Sequence, residues 1–112
     1  MRIIANRIAN AIQQNRSIRI GNTAYDVSAG IVTLHGYRIL YRVNDHFRID
    51  TRTIMHWPTV TTKSRINDIS RAMGGRSILF SKDFILYYTA ISGSKIPVES
   101  FDNDLFAFAA IQ

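Results

Sequence analysis

A chain of 112 residues with 14 Lys or Arg, 8 Asp or Glu and 46% hydrophobic residues has the size and composition of one folded domain, not of a disordered polymer. The absence of cysteine excludes disulfides, thiolate nucleophiles and thiolate metal sites. No apolar run approaches the roughly 20 residues that a membrane-spanning helix needs. We therefore expect a single, soluble, unexported domain over residues 1–112.

The positive charge is concentrated in the first two-thirds of the chain. Residues 1–76 contain 12 Lys or Arg and 4 acids, whereas residues 77–112 contain 2 Lys and 4 acids. Most of the cations are Arg, whose planar guanidinium pairs with two phosphate or carboxylate oxygens at once. This asymmetry fits either a solvated basic surface or a face that binds a polyanion.

The first segment has the periodicity of an amphipathic helix. Ile4, Ile8 and Ile12 recur every four residues, and polar residues fill the opposite side. We expect a helix of about three turns whose apolar stripe covers a sheet. A helix that binds a partner is the alternative.

Residues 17–50 change to a period of two, in short runs separated by Gly, Asn and Asp, which predicts an antiparallel meander. The hairpin near Asn44 allows two registers. A three-residue loop ending at His46 pairs Tyr41 with Ile49 and keeps the apolar side chains of both strands on one face. We predict this register, because a two-residue loop mixes charge into both faces.

The predicted register brings Arg38, Arg42 and Arg48 together on the outer face of the hairpin. Facing cations are mildly destabilising, and Asp50 is close enough in sequence to offset part of this. The three arginines are the best local candidate for binding an anionic partner. Surface arginines that protect a sheet from aggregation are the alternative interpretation.

The segment "HWPTVTTKSRIN", residues 56–67, is typical of the start of a helix. Pro58 favours an extended Trp57, and Thr61 or Thr62 offers a hydroxyl cap to a helix of about Lys63 to Met73. The residues that we assign to this scaffold are Trp57, Pro58, Thr61, Thr62 and Ile66.

The same helix carries Lys63, Arg65 and Arg71 on or beside its outward face, where they would add to an anion-binding surface. Thr59 and Thr61 precede its first turn, so hydroxyls, free N–H groups and cations would converge there on a phosphate. Ordinary helix capping explains the threonines equally well.

Two segments follow this helix. In "SILFSKDFILYY" both alternating faces are apolar, which predicts a hairpin that turns at Lys82–Asp83 and is covered on both sides. The tail after residue 100 fits either a strand or a helix, and its aromatic residues would support self-association if exposed.

The order "VTLHGYRILYRV", "WPTVTTKSRIN", a Gly-terminated helix and "ILFSKDFILYY" resembles a group of small proteins of tailed bacteriophages that share a W-x-T-x-T-T-K-x-R-[I/L]-N segment. The resemblance covers about residues 31–89. It implies a phage-borne accessory protein that works in the cytoplasm of the infected bacterial host, and it implies no catalytic residues.

The sequence offers no enzyme motif. His35, His46 and His56 do not have the spacing of metal-binding histidines, and there is no phosphate-binding glycine loop or nucleophile elbow. We expect no enzyme activity, no cofactor and no metal site.

We predict an α+β fold: an antiparallel sheet of about five to seven strands, with the N-terminal helix and a central helix packed on one face. The leading hypothesis is a non-catalytic phage accessory protein that docks through its arginines on nucleic acid or a host nucleoprotein complex. The alternative is a protein-binding inhibitor of a host defence system or host enzyme, comparable to an anti-CRISPR. A structural virion component is the third hypothesis.

Overall fold

The computed structural model of the protein describes residues 3–101 and 103–110. Helix α1 is Ile3–Gln13, and it leads into strands β1 (Ile18–Ile20), β2 (Thr23–Asp26), β3 (Ile31–Leu34), β4 (Tyr37–Val43) and β5 (His46–Ile49). Helices α2 (Thr51–His56) and α3 (Val60–Ala72) follow. The chain continues with β6 (Leu79–Lys82), β7 (Ile85–Thr89), β8 (Lys95–Pro97), a 3₁₀ turn at Val98–Ser100 and β9 (Leu105–Ala109).

The strands form two antiparallel sheets. The large sheet has six strands in the order β1-β2-β3-β4-β5-β9, and the small sheet has three in the order β6-β7-β8. The predicted α+β fold is confirmed, including the meander, the N-terminal helix and the central helix. Within the tail, Leu105–Ala109 is a strand, and it forms one edge of the large sheet. The separation of β6, β7 and β8 into a second sheet was not predicted.

The core lies between the inner face of the large sheet and helices α1 and α3. Ile8 and Ile12 of α1 are buried, as the fourfold spacing predicted, and Ile66 and Ile69 of α3 are buried against them. On the sheet, period-two alternation buries every second residue of β2, β3 and β5. Phe47 at the centre of β5 stacks on Phe108 of β9, with ring centroids 5.2 Å apart.

The predicted register of the β4–β5 hairpin is wrong. Val43 pairs with His46, so the loop has two residues, and Tyr41 faces Arg48 instead of Ile49. Asn44 has φ +58, a left-handed conformation that Asn tolerates better than most residues and that a tight hairpin turn requires.

A bulge at Ile39 explains how two adjacent apolar residues of β4 are both buried in this register. Val32 pairs with Leu40 and Thr33 pairs with Arg38, so Ile39 is the extra residue on its strand. Ile39 and Leu40 are therefore both buried although they are adjacent in sequence. The prediction assumed strict alternation along β4, and that assumption fails at the bulge.

Helix α3 begins earlier than predicted. Its N-cap is Thr59, whose hydroxyl accepts a hydrogen bond from the Thr62 N–H at 3.1 Å, so neither Thr61 nor Thr62 is the cap. Gly74 has φ +85 and follows the end of the helix, as predicted. The short helix α2 was not predicted, and Asp50 caps it by accepting from the Thr53 N–H at 3.1 Å.

The hairpin of the small sheet turns one residue later than predicted. Lys82 pairs with Ile85, so the turn residues are Asp83 and Phe84, and both have positive φ. One face of this hairpin is buried through Leu79, Leu86 and Tyr88. The other face is not fully covered, because Ile85 is exposed.

Candidate nucleic-acid interface

Among the described residues, no other helix or strand covers the outer face of the large sheet. It consists of the side chains that alternate away from the core, and none of them is buried, whereas most of their inward neighbours are. The members of this outer face are Arg19, Ala24, Asp26, Ile31, Thr33, Arg38, Tyr41, Val43, His46, Arg48, Phe106 and Ala109.

Two of the three predicted arginines meet around Tyr41 on this face. The guanidinium carbon of Arg38 lies 4.3 Å from the centroid of the Tyr41 ring, a cation–π contact. Arg48 is the cross-strand partner of Tyr41, and its Nη1 donates to the main-chain oxygen of Asp104 at 3.0 Å. The ring therefore separates two cations that point away from the core.

Two carboxylates support this cluster from its border. Asp50 accepts from the Arg38 Nε at 2.8 Å while its other oxygen caps α2. Asp104 accepts from the Tyr41 hydroxyl at 2.5 Å and from the Thr51 N–H at 2.9 Å. Each acid thus fixes the position of a group on the outer face. The acids also reduce the net positive charge there.

The hydrogen bonds of Asp104 favour its ionised form. Burial alone would raise the pKa of this carboxyl, but the hydrogen bonds from Tyr41 and Thr51, with the charge of Arg38, hold the pKa below its ordinary value. Burial and the bond to Asp104 raise the pKa of Tyr41. At neutral pH the pair is therefore an ionised acceptor and a neutral donor.

The outer face also presents aromatic rings and a further arginine, which sequence reasoning missed. His46 and Phe106 are partly exposed, and their ring centroids lie 5.5 Å apart. Arg19 is exposed on β1, opposite Ala24. Alternation along β9 could not by itself predict that Phe106 lies beside Arg48, because the pairing of β9 with β5 was not predicted.

Arg42 is not part of this face. In the two-residue register it pairs with Phe47, so it lies on the inner side of the sheet, at the periphery of the core. Its Nε donates to the main-chain oxygen of Asn44 at 2.9 Å. Arginine is tolerated there because the strand ends beside it and the guanidinium finds a carbonyl. The predicted trio is therefore split between two faces.

The predicted cations of α3 lie on the other side of the molecule, and each is bound to side chains of its own chain. The Lys63 Nζ donates to the Ser81 hydroxyl at 2.6 Å, and Arg65 donates to the hydroxyl of the buried Thr23. Burial lowers the pKa of Arg65, an effect that the charge of Asp68 offsets only in part. Arg71 pairs with Asp68 and Ser77. The six predicted cations do not form one surface, and Lys63 and Arg65 do not converge on the start of α3.

The five scaffold residues divide into two groups. Thr62 and Ile66 are buried, as a scaffold role requires. Trp57, Pro58 and Thr61 are exposed, so they do not build the core. Asn67, the last residue of the motif, has a structural role that the sequence did not reveal: its side chain binds the main chain of Ile78 and Leu79.

Exposed apolar side chains gather on a second surface, beside the α2–α3 connection. Trp57 is 43% exposed and Tyr37 is 52% exposed, with ring centroids 5.6 Å apart. They border a cavity of about 220 Å³ with an almost wholly apolar lining, which we call the Trp57 pocket. Its lining includes Leu34, Tyr37, Ile39, Thr53, Trp57 and Thr62.

The described part of the chain brings together no group of three His, Asp or Glu side chains that would hold a metal ion. None of its helices combines the length and the apolar character needed to cross a bilayer.

Comparison with known proteins identifies the family. The model of the Kyanoviridae Gp96 protein family matches residues 1–107, nearly the whole chain, and the protein belongs to this family. The resemblance to tailed-phage proteins is thereby confirmed at the level of the virus group. No curated protein and no solved structure matches the chain.

Proposed function

We propose that this member of the Kyanoviridae Gp96 family is a non-catalytic phage accessory protein that binds single-stranded nucleic acid across the outer face, in the cytoplasm of the infected host. The observation that carries the proposal is an unburied sheet face on which arginines and aromatic rings alternate. Unpaired bases stack on exposed aromatic rings, and arginines hold the phosphates between them. The proposal includes no cofactor, metal or catalytic step.

The arrangement of the outer face favours a single strand over a duplex. Tyr41, His46 and Phe106 provide flat aromatic surfaces, which a duplex with stacked bases cannot use. Arg48 forms no ion pair among the described residues, and the side chain of Arg38 remains 44% exposed beside Asp50. The guanidinium groups of both residues therefore keep donors for phosphate oxygens. Such contacts position a strand without reading its sequence.

The test is a salt titration of binding to labelled single-stranded and duplex oligonucleotides by fluorescence anisotropy. Three arginine contacts, from Arg19, Arg38 and Arg48, predict a slope of log affinity against log salt of about −2 for a single strand. Arg48→Gln should weaken binding severalfold and make that slope shallower by about 0.7. Arg7→Gln, with the same loss of charge on the exposed side of α1, should leave binding nearly unchanged.

A second substitution separates stacking from charge. Phe106→Leu keeps an apolar side chain on β9 but removes the ring, so it should weaken single-strand binding and leave any duplex binding unaltered. Absence of oligonucleotide binding, or binding that does not change with salt, would contradict the proposal. If the same protein captures a host complex from lysate, the alternative function of a protein-binding inhibitor of a host defence system or enzyme is favoured.

A further inference from the structure

The tip of the small sheet carries a side chain that has no structural role in its own chain. Phe84 occupies the second position of the β6–β7 turn with φ +65, and its side chain is fully exposed. Two-residue turns with two positive φ values favour Asn or Asp followed by Gly. Asp83 fits this preference, but a bulky aromatic residue in the left-handed region is a rare and strained choice. Strain and full exposure together indicate that the Phe84 ring is used in binding.

The Trp57 pocket is suited to receive such a ring. An apolar cavity of about 150 Å³ in another protein is large enough to bind benzene, and the Trp57 pocket has a volume of about 220 Å³. Tyr37 and Trp57 offer the ring two aromatic neighbours. Phe84 does not occupy the pocket of its own chain, because its side chain is fully exposed.

The α2–α3 connection contributes both to the pocket and to the groove beside the exposed ring. Met55 and Pro58, which flank Trp57 in sequence, line a groove together with the turn residues Asp83 and Phe84. A surface that carries both a projecting ring and a matching pocket is self-complementary under a two-fold axis, so that each copy inserts its ring into the other. A foreign protein would need only one of the two features.

The polar groups beside the ring and the pocket agree with this arrangement. Asp83 is the immediate neighbour of Phe84 at the tip, whereas no acid lines the pocket. His35 lines the pocket, and His56 packs edge-on against Trp57 at 4.9 Å between centroids. Insertion of the ring would bring the carboxylate oxygens of Asp83 to a rim that carries imidazole N–H donors.

From these observations we infer that the protein forms a two-fold dimer in which Phe84 of each copy occupies the Trp57 pocket of the other. The dimer uses a different surface from the outer face of the large sheet. It therefore does not depend on the proposed binding of nucleic acid.

The experiment is sedimentation equilibrium of the full chain over a concentration series, read together with the fluorescence of its single Trp. The wild-type protein should sediment as a dimer, and Trp57 emission should shift to shorter wavelength as concentration rises, because the inserted ring excludes water from the indole. Phe84→Gly should raise the dimer dissociation constant at least about tenfold and abolish the emission shift. Phe84→Asn, which also tolerates the left-handed conformation, should do the same.

Two further variants complete the test. Tyr37→Ser opens one wall of the pocket and keeps Trp57 as reporter, so it should also dissociate the dimer. An equimolar mixture of Phe84→Gly and Tyr37→Ser retains one intact insertion and should recover part of the association. Ile91→Ser, at an exposed apolar residue outside the pocket and the groove, should leave the dimer unchanged. A wild-type monomer at every concentration, or a dimer that survives both Phe84 substitutions, would overturn the inference.

Discussion

The large and small sheets differ in what holds them to the rest of the protein. The inner face of the large sheet is buried against α1 and α3 through residues such as Val32, Phe47 and Ile49. The small sheet also buries apolar residues, but its first strand is fixed by the amide of Asn67, and Tyr88 ties its middle strand to β9. Apolar burial is non-directional, whereas hydrogen bonds fix geometry. The position of the Phe84 tip therefore depends on a few polar contacts.

Removing the amide of Asn67 should have the largest effect on the attachment of the small sheet. Its Oδ1 accepts from the N–H groups of Ile78 and Leu79 at 2.8 and 2.9 Å, and its Nδ2 donates to the Leu79 carbonyl at 2.8 Å. Asn67→Ala leaves these groups unpaired at buried positions, which should lower the free energy of unfolding by about 3 kcal/mol. Denaturant unfolding measures the loss.

Hydrogen exchange shows where the loss falls. In Asn67→Ala, amides of β6 and β7 should exchange much faster than those of β5, because the small sheet detaches before the large one opens. Asn10→Ala on the exposed side of α1 is the matched control and should be neutral or slightly stabilising. Equal acceleration in both sheets would show that they unfold as one unit.

The sequence predicted the elements of the large sheet better than their register. Alternation and turn residues were enough to identify β1 to β5, and fourfold spacing identified α1. The bulge at Ile39 leaves no signal in the sequence, because a bulge depends on the partner strand. Helix α2 has only six residues, so the capping role of Asp50 was its sole local sign.

The candidate interface was also predicted only in part, because it depends on strand register and on tertiary packing. Arg38 and Arg48 share the outer face, but the side that Arg42 takes depends on the register of the hairpin. Lys63 was expected on the outward face of its helix and Arg65 at the border of that face. Their hydrogen bonds to Ser81 and Thr23 join elements that are distant in sequence. Contacts of this kind are set by tertiary packing, which periodicity does not report.

The pH dependence of stability should sharpen the contrast between the sheets, because Asp104 supports only the large one. Its folded pKa is lowered below the ordinary value of 3.8, so its contribution is present above that value and is lost as pH falls through the folded pKa. Asp104→Asn should cost about 1.5 kcal/mol at neutral pH, because one acceptor becomes a donor. Below about pH 4, the free energy of unfolding of the Asp104→Asn variant should fall less steeply than that of the wild type. Denaturant midpoints across the acid range test this, and parallel curves would contradict it.

Removal of the Tyr88 hydroxyl should give the smallest effect and isolate the bond between the sheets. The Tyr88 Oη donates to the main-chain oxygen of Phe106 at 2.7 Å, whereas the neighbouring Tyr87 stacks on Phe80 at 5.1 Å between centroids. Tyr88→Phe should cost about 1 kcal/mol, because a partly buried carbonyl loses its donor. Tyr87→Phe keeps the stacking and should cost nearly nothing. Thermal or denaturant unfolding measures both variants. Equal losses of stability would show that the bond to Phe106 does not help to join the sheets. Apolar burial would then hold the small sheet in place.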